Sequence, residues 1–439
     1  MEGTPVVTVF LRHDADVLLL RRSDEVGSYS GQWSGVAGHV EEGDWTGDGH
    51  PDGAASREIS EETGLAESDV TLVRRGDTFT VADRDLGTRW VVHPYLFEAA
   101  TRAVEPNYET TGYEWVPPTE IRRRETVPDL WTSYDRVRPT VETVASDREH
   151  GSAWLSVRAL ETLRDEAAIA CDNEGGDESE TASRWTALLA TARELREARP
   201  SMPVVANRVN RAVTAASDER TPRALERAAE AGFERAFAAD ADAAERAAQR
   251  LGSRVATLSR SATVFAALRA ADPERVLVAE SRPGREGVGV AERLADETGA
   301  AVTLTTDAAV AERLASDVET LLVGADAVRP DGRALNKVGT RGAATVAARE
   351  GVECLVVAAS DKVLPASADD GSDERRLDRE ERDPAEVYDG DADVGVANPT
   401  FDLTPAAVVD AVVTEDGVLD DDDVRDVATR HRERANWGD

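Results

Sequence analysis

The chain has 439 residues, a net charge of −35 from 86 acidic and 51 basic side chains, and lysine at only two positions, Lys337 and Lys362. That length exceeds one hydrophobic core and implies two or three domains, while the acid excess argues against broad nucleic-acid binding and reads as adaptation to very high salt. Without a signal peptide or an apolar run of membrane length, and with Cys171 and Cys354 far apart, a soluble protein of the reducing cytoplasm is expected, with no membrane partner.

Residues 5–11 (PVVTVFL) and 17–21 (VLLLR) read as strands joined by a His-Asp-Ala-Asp turn. Beyond them, residues 57–64 (REISEETG) predict a short helix closed by a glycine. Residues three and four apart share a helix face, so Glu58, Glu61 and Glu62 converge on one edge. Three carboxylates in one turn suit a hard divalent cation held by oxygen, magnesium or manganese; a solvated acidic helix is the plain alternative. Arg57, four residues before Glu61, can pair with it. Further strands are expected at 70–74, 77–81, 89–97 and 114–116.

Gly38, the Glu42-Gly43-Asp44 word and Arg57-Glu58-Ile59-Ser60-Glu61-Glu62-Thr63-Gly64 together resemble the Nudix box. Asp44 stands where that pattern has glutamate. The spacing to Arg57 is also longer, the surplus falling in the Gly/Asp/Pro-rich run Trp45 to Gly53, a surface loop. The resemblance implies a mixed α/β sandwich over residues 1–142 that hydrolyses a nucleoside diphosphate linked to another moiety. It makes Arg57, Glu58, Glu61 and Glu62 the catalytic set, with the three glutamates as ligands of Mg2+ or Mn2+ and Gly38 in the substrate site.

Residues 149–251 are alanine-rich, laced with arginine and glutamate, and apolar at helical spacing: a helical subdomain over 147–251. The acidic word Cys171 to Thr181 reads as a loop and Met202 as packing; near Arg199-Pro200-Ser201 the chain turns, either plainly or to hold a phosphate on the guanidinium. From Arg254 strands and helices alternate, with apolar runs at 254–258, 275–279, 301–304, 320–324 and 353–359, a doubly wound, mostly parallel Rossmann-like sheet over 252–425. Ligands of such sheets bind beyond the carboxyl ends of the strands. There lie five polar words, around Ser259–Ser261, Glu280–Gly287, Thr306–Ala308, Gly324–Ala327 and Ser360–Lys362. Both lysines fall at this rim, where a compact ammonium suits phosphate or hydroxyl recognition. Residues 368–393 read as a solvated insert and 426–439 as a charged tail.

These words resemble the translation initiation factor 2B alpha/beta/delta family, which includes isomerases of ribose-1,5-bisphosphate and methylthioribose-1-phosphate; the resemblance covers about residues 147–419. It implies that Asp326 acts as an acid, that Asn336, Lys337 and Lys362 hold the substrate, and that Arg199 and Ser261 flank a phosphate. Ser259 stands where the isomerases have a cysteine base, and a serine hydroxyl is a far weaker base than a thiolate. His150-Gly151-Ser152-Ala153 replaces an Arg-Gly-Ala phosphate word. The expectation is a Mg-dependent hydrolase of a nucleotide-derived substrate, fused to a module that binds a sugar phosphate or nucleotide and forms a homodimer or higher oligomer through the C-terminal half. The alternatives are a phosphosugar isomerase and a non-enzymatic regulatory subunit.

Overall fold

The computed structural model describes residues 3–84, 86–171, 178–366 and 379–438. Two compact units divide it, Met1–Pro139 and Thr140–Asp439.

The first unit is built on a mixed sheet. Its long central strands, Thr4–His13 and Thr88–Ala99, run parallel, from Thr4 opposite Trp90 to Arg12 opposite Glu98. The first also pairs antiparallel with Val36–His39 and the second with Val70–Arg75 and Phe79–Asp83. Alternation sends Val7, Val9 and Leu11 to one face, where they pack on Ala54, Ala55 and Ile59 of the Asp52–Thr63 helix. Phe10, Leu19 and Leu96 go to the other, against Leu130 and Tyr134 of the Leu130–Asp135 helix. Helices on both faces make the expected sandwich. Each strand anticipated here forms, with ends shifted by a residue or two except the last, which starts four residues earlier, at Thr110.

The second unit begins with helices Ser152–Cys171, Glu178–Ala198, Pro203–Ala216 and Pro222–Ala248. Cys171 and Glu178–Thr181 are therefore helical rather than loop, and residues 172–177 lie outside the described residues. A seven-stranded sheet follows, ordered Ala301–Thr305, Arg275–Ala279, Arg254–Leu258, Thr320–Val323, Glu353–Val357, Ala411–Thr414, Gly417–Leu419. All neighbours are parallel except the last pair, a hairpin. One face packs on Ala243, Val264, Leu268 and Leu294, the other on Ala344, Ala347, Val424 and Val427. The sheet is doubly wound as expected, and its order reverses between Arg254–Leu258 and Thr320–Val323, the switch point where a ligand crevice forms. A three-stranded antiparallel sheet, Ala327–Val328, Ala334–Lys337 and Phe401–Thr404, lies beyond it.

The charged stretch 426–439 is a helix end, as its composition suggests, but it is packed into the unit rather than a free tail. It continues the helix Asp421–Arg434, which buries Val424, Val427, Ala428 and His431, and Ala428 accepts a backbone hydrogen bond from Ala366 (2.9 Å). Among the described residues no helix is long and apolar enough to cross a membrane, and both cysteines are free thiols.

Candidate active sites

In the first unit, the Asp52–Thr63 helix ends at Gly64, whose φ of 71° lets its N–H reach Ser60 O. The helix presents Glu58 and Glu62 to the sheet, and both are buried. Gly38, opposite Val7 in the strand pairing, lies directly over Glu58: a Cβ there would fall 1.9 Å from the Glu58 carboxyl carbon. Only a residue without a side chain leaves room for that carboxylate. Arg57 Nη1 donates to Glu58 Oε1 (2.6 Å), and its Nη2 to His39 O (3.0 Å) and Asp44 Oδ2 (3.1 Å). The expected pairing with Glu61 is peripheral, at 3.8 Å. Arg57 therefore orients Glu58. Asp44 is the anchor of that arginine and also accepts from Glu41 N (2.7 Å). The longer loop after it closes on itself, Thr46 N to His50 O at 2.8 Å, so the added length leaves the helix undisturbed.

Burial, and then the neighbouring Glu58, push the Glu62 carboxyl up to about 8, against the pull of Arg22 and the Ala37 N–H. Burial likewise raises Glu58, although Arg57 opposes it. Glu61 differs: its side chain is 58% exposed. Among the described residues no three His, Cys, Asp or Glu side chains converge as a ready metal cage. The sequence pattern anticipated three converging carboxylates; the fold buries two together and leaves the third at the rim. Two neighbouring buried carboxylates, one of them given its space by a glycine, are hard oxygen donors in need of positive charge, and this donor set fits magnesium or manganese.

In the second unit, a cavity of about 640 Å3 opens beyond the carboxyl ends of the strands. It gathers Arg199, Ser259, Ser261, Asp326, Asn336, Lys337 and Lys362, all seven residues singled out in this half. Four of the five polar words reach it. The fifth does not: Asp307 accepts from the N–H groups of Ser281 (2.8 Å) and Arg282 (2.6 Å), bracing a neighbouring loop. Ser259 adopts a left-handed backbone (φ 64°) at the switch point, its N–H held by Ser281 Oγ (2.6 Å). Such a conformation in a non-glycine residue is strained and concentrates at functional positions. Ser261 caps the next helix, accepting from Val264 N (3.3 Å). Asn336 donates to Thr340 Oγ1 (3.0 Å), and Lys362 Nζ donates to Ala325 O (2.6 Å).

The cationic groups are held by carboxylates that the sequence did not nominate. Buried Arg199 donates through Nη2 to both oxygens of Glu380 (3.0 Å each), which also accepts from Ser201 Oγ. Lys337 Nζ pairs with Glu286 Oε1 (2.6 Å). A carboxylate gripped by two guanidinium contacts and a hydroxyl occupies the geometry an oxyanion such as phosphate would take. Asp326 Oδ1 accepts from Ser152 Oγ (2.8 Å), so the word that departs from the isomerase pattern supports the candidate acid. Part of the insert read as solvated thus lines the cavity at Glu380–Asp383 and Glu386; residues 368–378 lie outside the described residues. The signal for Glu286 was present, within the glycine-rich word at 280–287. Nothing local marked Glu380.

Residues 3–141 match the family described as the NUDIX domain, and residues 148–421 match the initiation factor 2 subunit family. A ribose 1,5-bisphosphate isomerase from Haloferax volcanii is 36% identical over 299 residues, spanning 64% of this chain and 90% of that protein. A methylthioribose-1-phosphate isomerase from Methylococcus capsulatus is 38% identical over 152 residues, 33% of this chain and 42% of that one. Among solved structures, a translation initiation factor eIF-2B from Pyrococcus horikoshii OT3 matches with a TM-score of 0.52 at 25% identity, over 64% of this chain and 94% of that one.

Proposed function

From a chain that belongs to the initiation factor 2 subunit family and carries a NUDIX domain ahead of that region, we infer a two-site protein. The first unit is a divalent-metal-dependent hydrolase of a nucleoside diphosphate linked to a second moiety; the second binds a phosphorylated sugar. The observation that carries the first assignment is the buried Glu58–Glu62 pair, with Gly38 leaving room for the Glu58 carboxylate. Glu58 and Glu62, with Glu61 at the rim, would hold magnesium or manganese, which when bound there supplies charge neutralisation for a diphosphate and a more acidic water. Arg57 keeps Glu58 in place through its contacts to Asp44 and His39.

The test is hydrolysis of nucleotide sugars, dinucleotides and nucleoside triphosphates by the full chain with Mg2+ in molar KCl. Glu62→Gln should lower turnover about 100-fold or more while the fold persists, since a ligand and charge are lost from the centre. Wild-type rates in that variant would defeat the assignment.

For the second unit, a sugar phosphate fits the cavity with one phosphate at Arg199, Ser261 and Lys337, where Glu380 and Glu286 now pair with the cations. Turnover is a separate matter. We assign the acid to Asp326, which accepts a hydrogen bond from Ser152, and the kinship with a ribose 1,5-bisphosphate isomerase favours an aldose–ketose isomerisation; Ser259 supplies no thiolate for the base. Conversion of ribose-1,5-bisphosphate that vanishes in Asp326→Asn would establish it. Assembly through the second unit into a dimer or larger oligomer completes the proposal, and stable association with translation initiation factor 2 would instead mark a regulatory subunit.

A further inference from the structure

A second cavity of about 450 Å3 lies in the second unit, apart from the sugar-phosphate crevice. Three helices and a turn build it. Arg211 comes from the Pro203–Ala216 helix, Arg235 from Pro222–Ala248, and Arg430, His431 and Arg434 from the C-terminal helix. Ser360, at the start of the Ser360–Lys362 turn, and Glu415 and Asp416 of the last hairpin complete the lining.

The carboxylates near it are mostly committed. Buried Asp361 is held by Arg211 and by Arg208 Nε (3.3 Å). Glu415 accepts from Ser360 N (2.8 Å) and Ser360 Oγ (2.7 Å), and Asp416 sits 3.5 Å from Arg430. Asp242 is on the rim and exposed. Among the described residues Arg235 and Arg434 have no carboxylate partner. Partial desolvation at the cavity wall, and then the Arg211 charge, hold both guanidinium groups below their ordinary pKa, although Arg235 stays exposed at the rim. Asp361 pulls on both from a distance, and Glu234 on Arg235, but among the described residues neither arginine has an ion pair of its own, and an anion in the cavity would supply one.

Two orphaned atoms point to the same ligand. Arg211 Nε is buried without a partner, and so is His431 Nδ1, on a ring 2% exposed. His431 Nε2 lies 3.1 Å from Ser360 O, a carbonyl that can only accept. The proton is therefore on Nε2, and Nδ1 is an acceptor awaiting a donor. A phosphate that retains one hydroxyl, or a phosphate ester with a neighbouring sugar hydroxyl, satisfies both demands: oxygens for the guanidinium groups and an O–H for Nδ1.

We propose that this cavity binds a small phosphate-bearing metabolite, gripped by Arg211, Arg235 and Arg434 with His431 Nδ1 accepting from its hydroxyl. The position matters because Lys362, at the end of the same turn, reaches into the other cavity. A ligand drawing on Arg211 acts directly on the turn that carries a substrate-facing lysine.

The experiment is calorimetric titration of the full chain, metal-free, with inorganic phosphate and with pyrophosphate at fixed KCl concentration. Arg199→Gln/Lys337→Gln disables the first cavity and should leave saturable binding near one equivalent. Arg235→Gln/Arg434→Gln should weaken that binding about tenfold or more, as expected for losing two charge-assisted contacts. Because Arg235 is exposed, its single variant keeps the protein folded and should still weaken binding about threefold, less than one such contact is worth. Absence of saturable binding in the Arg199→Gln/Lys337→Gln chain, or affinity unchanged by Arg235→Gln, overturns the proposal. Neither outcome depends on whether the other cavity isomerises anything.

Discussion

At the scale of single residues, the first unit turns on an absent side chain. Gly38 is opposite Val7 in an ordinary strand and adopts no conformation that demands glycine, since it is not among the positive-φ residues. What it provides is volume. A methyl group at that position would meet Glu58 Cδ at 1.9 Å and Oε1 at 2.0 Å, so the carboxylate would have to rotate away from Arg57. Gly38→Ala should therefore depress metal-dependent hydrolysis far more than it depresses folding, with a stability loss of about 1–3 kcal/mol from overpacking. Parallel measurement of hydrolysis and urea unfolding checks this; full activity in the Gly38→Ala variant would mean that Glu58 is free to move without consequence. Helical spacing put Glu58, Glu61 and Glu62 on one edge without separating them from a solvated acidic helix; the surrounding pattern from Gly38 to Gly64 did that. The role of Asp44 was not legible, because its contact with Arg57 is made across a loop whose length differs from the family pattern.

At the scale of elements, legibility tracked how local the determinants are. The strand Arg275–Ala279 is a self-contained apolar run bounded by polar residues, and its bounds match the sequence reading. The strands Ala334–Lys337 and Phe401–Thr404 are four residues each and pair across an interval of more than sixty positions, Asn336 opposite Asp402. Nothing within four residues specifies such a pairing, because strand formation depends on the neighbour that completes it. The same holds for the segment carrying Glu380, which reads as solvated until Arg199 is placed beside it. Its function can be tested: Glu380→Gln removes the charge that competes for Arg199. Sugar-phosphate affinity should rise about tenfold, as for removal of one charge-assisted competitor, and thermal stability without ligand should fall because a buried guanidinium loses its counter-charge. Affinity that drops instead would make Glu380 part of the ligand site.

The C-terminal helix carries a pH dependence of its own. Burial, with Arg211 and Arg434 alongside, holds His431 below its ordinary pKa, despite the Ser360 carbonyl and Asp361. Its folded value thus lies below an unfolded value of about 6.5. Below that pH the unfolded chain takes up a proton that the folded chain refuses, so stability is complete above about 6.5 and declines on acidification, by at most about 1.4 kcal/mol per pH unit. In His431→Gln the stability difference between pH 7.5 and pH 5.5 should shrink relative to wild type. Equal differences in the two chains would show that other groups carry the acid sensitivity.

At the scale of the whole molecule, the dominant quantity is a net charge of −35. Like charges spread over a compact surface repel, and folding brings them closer than they are in the open chain. Salt shortens the reach of that repulsion, from about 10 Å at 0.1 M to about 3 Å at 1 M. Salt also weakens attractive pairs, but those at the surface, such as Arg425–Asp422 and Arg227–Glu219, are exposed and contribute little. The pairs that matter, Arg199–Glu380 and Arg208–Asp361, have a buried partner and are screened least. Relief of repulsion therefore outweighs loss of attraction. The thermal midpoint of the full chain should climb steadily between 0.1 M and 2 M KCl. Replacing Asp391 and Asp393, exposed and outside any helix or strand, with asparagine should raise the low-salt midpoint and flatten the climb. A midpoint that is level or falling with KCl would place the acidic excess outside the folding energetics, and its explanation would then have to lie in solubility alone.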